Sequence, residues 1–180
     1  MNDKIRQAQE HYERGNALDD AGDTTRAIDE WKLAIGLNPN HTEAHYNLGI
    51  AYADAGDLMS AVGAMETALA VDPEDTEARR ELIQMLWRHA DAVIAQKDPE
   101  RARADWERII ELDSNNAVAH LKVGQLYADK FSDGDAEKHL RAAIAGNPWL
   151  TDAYDKLAEI LLAEKRQTEA ISLLHQALNT

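Results

Sequence analysis

The chain has 180 residues, 44% of them hydrophobic and 29% charged, a globular composition long enough to bury a sizeable core. It has no Cys, which excludes disulfides, thiolate zinc sites, iron–sulfur clusters and cysteine nucleophiles, and its 19 Lys and Arg against 33 Asp and Glu, net −14, argue against a nucleic-acid partner. No apolar run approaches the roughly 20 residues of a membrane span, and the charged start from Met1 to Gln7 lacks a secretory leader's apolar stretch, so a cytoplasmic chain without membrane insertion is expected.

Residues 1–7 read as a short lead-in. From Ala8 onward, apolar residues recur with helical spacing on two segments separated by a turn, and the pattern repeats every 34 residues. Gly15 and Gly49, Ala27 and Ala61, Trp31 and Met65, Ala34 and Ala68, and Pro39 and Pro73 are each one period apart. The first repeat spans 8–41 and the second 42–75. In the second, Ala44, Leu48, Ala51 and Tyr52 share a helical face, Ala55-Gly56-Asp57 ends that helix, and Ala61, Met65, Ala68 and Leu69 line the next. Asp72-Pro73-Glu74-Asp75 closes it: Gly supplies a left-handed helix end and Pro cannot continue a helix.

The third repeat, 76–116, carries seven extra residues, since Gly49 to Gly124, His45 to His120 and Pro73 to Pro148 are 75 apart. From Thr76 to about Ile94 it has no Gly or Pro, so its first helix should run long. Asp98-Pro99 then reads as an N-cap and first-turn Pro of a helix ending near Asp113. Five extra helical residues would project about 7 to 8 Å beyond neighbouring first helices. The fourth repeat spans 117–150, with Ala136, Leu140 and Ala143 on its second helix. The fifth, 151–180, is expected to pack Ala170, Leu174 and Ala177 inside. No segment alternates like a strand, and the fold class is all-α.

The residues His45, Leu48-Gly49, Tyr52, Ala61, Met65, Ala68 and Pro73 resemble the pattern of the tetratricopeptide repeat (TPR) family, departing from it at the Trp and Phe places. The other repeats resemble it in phase; the weakest is the third, with Arg79, Leu82-Ile83, Leu86, Ala102 and Trp106. The resemblance implies a right-handed superhelical solenoid of five helix–turn–helix repeats, whose stacking supplies the core. It also implies a concave groove lined by the first helices.

Signals for chemistry are weak. His41 and His45 are four apart, but the Glu that a zinc protease needs directly after the first His is Thr42, and His45, like His11 and His120, falls at a packing place of the repeat. There is no Gly-rich phosphate loop, nucleophile elbow or dinucleotide fingerprint. Asp20-Ala21-Gly22-Asp23 and Asp133-Gly134-Asp135 are short turns that suit helix caps better than calcium loops. No enzyme activity, metal or cofactor is expected.

A non-enzymatic scaffold or adaptor is therefore expected, holding a peptide or helical segment of a partner protein in the groove. Mapped by the resemblance, the groove offers Tyr12, Asn16, Tyr46, Asn47 and Ile50, then Arg80, Gln84, Trp87 and Arg88, then Leu121, Lys122 and Gln125, and last Lys156. Its first part is acidic with two Tyr, its later part basic with a Trp. Asn16 and Asn47 match the carboxylate clamp of co-chaperone members, but Tyr12 stands at its first Lys place and Glu77 and Glu81 at its third-repeat basic places, which would repel a carboxylate. Two other readings are a regulatory subunit docking on an enzyme and a self-associating assembly unit. For the latter, Ile171 and Leu178 match places that face a following pair in internal repeats. With Leu157 and Leu161 they would form an apolar patch pairing two copies as a homodimer.

Overall fold

A computed structural model describes residues 3–130 and 133–179. They form ten helices and no strand among the described residues: α1 (Asp3–Asp20), α2 (Thr24–Leu37), α3 (Thr42–Asp54), α4 (Leu58–Val71), α5 (Thr76–Ala95), α6 (Pro99–Leu112), α7 (Ala117–Lys130), α8 (Asp133–Gly146), α9 (Thr151–Ala163) and α10 (Gln167–Leu178). Helix α1 begins at Asp3, so residues 3–7 of the expected lead-in are helical; Met1, Asn2 and Thr180 lie outside the described residues. None of the described helices is long and apolar enough to cross a membrane.

The chain divides into two compact units, Met1–His89 and Ala90–Thr180. In the N-terminal unit α1 packs on α2, α2 on α3 and α3 on α4. Its core includes Ala27, Trp31, Ala34, Ala44 and Ala51, with Tyr12, Leu18, Ile28 and Ile35 packed around them. In the C-terminal unit α6 packs on α7, α7 on α8, α8 on α9 and α9 on α10, and α7 also meets α9.

Small residues set the helix spacing within a pair. A Cβ on Gly15 would lie 2.5 Å from Trp31 Nε1, and one on Gly124 would lie 2.8 Å from Leu140 Cγ, so α1 and α7 meet their partners at a distance that only glycine permits.

The turns repeat as the helices do. Asp23, Asp57 and Asp98 cap α2, α4 and α6, each accepting from the backbone N–H three residues on. As the pattern predicts, α5 is 20 residues long and α6 opens on Pro99. Helix α8 starts at Asp133, so Gly134 and Asp135 belong to its first turn, while the Asp133 side chain lies outside the described residues. Where one repeat passes to the next, Asn38, Asp72, Asp113 and Asn147 each accept from the backbone N–H two residues later. These side chains fold the turn on themselves.

Candidate functional site

The N-terminal unit holds a cleft of about 630 Å³ lined by residues of α1, α2, α3 and α5. Its polar floor is built by a chain of three side chains. Trp31 Nε1 donates to Asn16 Oδ1 at 2.9 Å, and Asn47 Nδ2 donates to the same oxygen at 2.9 Å. An indole N–H can only donate, so it fixes which end of the Asn16 amide faces it, and that oxygen in turn fixes the Asn47 amide. The Asn16 Nδ2 and Asn47 Oδ1 atoms have no hydrogen-bond partner among the described residues. Tyr46 and Ile50 add aromatic and aliphatic surface, and Asp19, Asp20, Asp54 and Glu81 supply carboxylates.

Tyr46 and Asn47 also border a second cleft, of about 360 Å³, with Tyr12, Thr42, Glu43, Asp72, Asp75 and Glu77. Among the described residues, no Lys or Arg lines either cleft. The field there is negative: the Tyr46 phenol is pushed above its ordinary pKa first by burial, then by the nearby charges of Glu77, Glu81 and Asp75, with Arg80 opposing.

Tyr12, Asn16, Tyr46, Asn47 and Ile50, mapped to the groove from sequence, line these adjoining clefts. The two arginines of α5 mapped further along already have partners. Arg80 pairs with Glu77 at 3.6 Å and Glu81 at 3.8 Å. Gln84 donates to Glu81 at 3.1 Å. Arg88 donates from Nη2 to the Ala53 carbonyl at 2.8 Å, closing the C-terminal end of α3 where acceptors are left over. Trp87 is half-buried beside it in sequence.

In the C-terminal unit Lys122 is exposed and Gln125 half-buried. Lys156 meets Asp129 at 2.8 Å and Glu159 at 3.5 Å, and these partners, Asp129 first, raise its pKa. Leu121, expected in the groove, is a correction: it is only 6% exposed, because α9 packs against α7 and draws it into a core with Tyr154 and Leu157. Leu157 and Leu161 are likewise corrected from surface patch to core, since both pack in that same cluster with Leu140 and Leu173. Ile171 and Leu178 are 55% and 84% exposed, and Leu174, expected inside, is open while Leu173 takes the buried place.

The histidines serve packing and local bonding. His11 contacts Glu30 at 2.7 Å, the His45 Nε2 donates to the Pro39 carbonyl at 2.9 Å, and His41 is buried against Tyr12. His120 and His139 face each other, Nδ1 to Nδ1, at 2.9 Å, with His139 stacked on Tyr127. Burial, then the charges of His120 and Lys138, lower the His139 pKa.

Two family models match the chain: one described as TPR repeat over residues 15–56, and one described as tetratricopeptide repeat over 49–90 and 88–148. The second alone spans more than half of the sequence. The chain belongs to the tetratricopeptide repeat family. Solved TPR structures share its fold at low identity. YrrB, described as a TPR protein with an unusual peptide-binding site, is 20% identical with a TM-score of 0.52, covering 99% of this chain and 87% of its own. A crystal structure of MamA is 21% identical with a TM-score of 0.52, covering 96% and 91%, and MamA AMB-1 is 19% identical with a TM-score of 0.53, covering 97% and 91%. No curated protein matches the sequence. This all-α TPR solenoid fold places the protein among interaction scaffolds.

Proposed function

We propose that the protein is a non-enzymatic adaptor that binds an extended segment of a partner protein in the N-terminal unit, along the first helices α1, α3 and α5. The observation that supports this best is the cleft where Asn16, Tyr46, Asn47 and Ile50 come together. It offers unspent amide groups for a peptide backbone beside aromatic and aliphatic surface for a side chain. Peptides selected for binding from a random display library, then titrated calorimetrically, test the reading. The double variant Tyr46→Ala, Ile50→Asp should lose at least about tenfold in affinity with its helical circular dichroism intact. Selected peptides that bind this variant as well as the parent would place recognition elsewhere.

A second reading is favoured by the outer face of α10. Ile171, Leu174 and Leu178 follow at three- and four-residue steps on one helical face and are all exposed. Two copies pairing this face would hide it. Ile171→Glu with Leu178→Glu should convert a dimer into a monomer in analytical ultracentrifugation. A parent protein already monomeric at high micromolar concentration would end this reading.

A further inference from the structure

The same place in two repeats carries opposite electrostatic arrangements. Asp129, in the last turn of α7, receives Lys156 Nζ from α9 at 2.8 Å, 27 residues later in the chain. Asp54 holds the corresponding place in α3, 75 residues earlier, and the residue 27 later is Glu81 on α5. Both Asp54 and Glu81 line the N-terminal cleft. Where the C-terminal unit closes an ion pair, the N-terminal unit holds two acids, and among the described residues no cation bridges them.

The neighbouring acids deepen the imbalance. Asp20 occupies the place of Asp54 one repeat earlier, at the end of α1, and Asp19 precedes it. Helix C-termini carry partial negative charge and favour cations, yet neither α1 nor α3 has a basic residue in its last turn. Asp20 and Asp54 have no ion-pair partner among the described residues. The Asp19 carboxylate accepts from Thr24 Oγ1, and Glu81 has Arg80 at 3.8 Å, which it shares with Glu77. Arg88 approaches the end of α3, but its guanidinium is turned to the Ala53 carbonyl. Asp19, Asp20 and Asp54 weaken the helix C-termini on which they sit, a cost that a bound cation would remove.

Resting on the groove reading above, we infer that the occupant of this cleft is a basic peptide segment, whose Lys or Arg side chain takes between Asp54 and Glu81 the place that the Lys156 ammonium takes beside Asp129. The aliphatic stem of such a side chain would lie along Ile50 and Tyr46, which suits a long cationic residue. The Asn16 and Asn47 amides would meet the peptide backbone on either side. An acidic segment or a free C-terminal carboxylate would be repelled from every wall.

Two fluorescein-labelled peptides of equal length test this, one built of Lys, Leu and Ala and the other with Glu at each Lys, titrated by anisotropy into the full chain. The basic peptide should bind and weaken as salt rises from roughly 0.05 to 0.5 M, and the acidic one should not bind. Asp54→Asn and Glu81→Lys should each weaken the basic peptide by at least about tenfold. Glu81→Lys should also raise the melting temperature, because the new ammonium can reach Asp54 as Lys156 reaches Asp129. Asp29→Asn, on the exposed side of α2, should leave affinity unchanged; an equal loss there would mean diffuse attraction to an acidic protein and overturn the inference. So would preference for the acidic peptide. If that preference is abolished by Ile50→Asp, the groove reading survives without the cation; if neither peptide responds to any cleft variant, both fall.

Discussion

The two units are built from one repeat and treat their charges differently. The N-terminal unit, residues 1–89, has 8 Lys and Arg against 17 Asp and Glu; residues 90–180 have 11 against 16. The surplus matters less than where the partners lie. In the C-terminal unit charged groups are bonded across elements: Lys156 of α9 with Asp129 of α7, Arg166 before α10 with Glu137 of α8, and Arg103 of α6 with Tyr127 of α7. At the place of Tyr46 that unit has Leu121, which the packing of α9 buries. In the N-terminal unit the equivalent surface remains polar, aromatic and open. One repeat pattern thus yields a stretch that satisfies itself and a stretch that leaves its bonding capacity to a partner.

The largest blow to the open unit should come from Trp31→Ala. It removes a buried indole and the donor that orients Asn16, and a loss of about 3 to 5 kcal/mol is expected in chemical denaturation. A smaller loss of stability accompanied by unaltered peptide binding would show that the Asn16 and Asn47 amides hold their orientation without it.

The closed unit should be sensitive to acid through Glu137. Hydrogen bonding from Arg166 first, with Arg141 adding to it against the cost of burial, lowers its pKa to about 2. A depressed carboxylate stabilises the fold fully above its unfolded pKa near 4.5, and that contribution is lost as pH falls through its folded pKa. Glu137→Gln should cost about 2 kcal/mol at neutral pH, discounted for partial exposure. It should also flatten the fall in stability between those two pH values. An unchanged acid limb in urea melts would remove this ion pair from the account.

The smallest expected effect separates the units at their turns. Between paired helices the N-terminal unit places Gly22 and Gly56 at φ of 81° and 82°, whereas the C-terminal unit places Lys97 and Lys165 there at 62°. A left-handed residue other than glycine is strained. Lys97→Gly and Lys165→Gly should each stabilise by about 0.5 to 1 kcal/mol, read as a higher melting temperature. Destabilisation by both would mean that the lysine side chains contribute more than their backbone strain costs.

Much of this was legible in the residues. A 34-residue period with Gly and Pro at fixed places marks helix ends by local chemistry, so the long α5 and the Asp98-Pro99 start of α6 follow from short windows of sequence. The lining of the N-terminal clefts followed as well, because Tyr12, Asn16, Tyr46, Asn47 and Ile50 stay on the open face of their own helices. What was not legible depends on contacts distant in sequence. Leu121, Leu157 and Leu161 are buried by packing among α7, α8, α9 and α10, which helical periodicity cannot weigh against an exposed face. Arg88 looks like a free groove cation until its bond to Ala53, 35 residues away, is seen. Leu173 and Leu174 are adjacent apolar residues, and the pattern alone chose the wrong one for the core. The pairing of Asp129 with Lys156 is visible in sequence only as a spacing of 27, and its meaning emerges when Asp54 and Glu81 are found lining one cleft.

The most direct test locates the ligand. A basic peptide carrying a photoreactive benzophenone beside its Lys, cross-linked to the full chain and mapped by mass spectrometry, should mark Tyr46, Ile50 and residues near Asp54 in the N-terminal unit. Cross-links concentrated in the C-terminal unit around Lys122 and Gln125 would contradict the division between an open and a self-satisfied half.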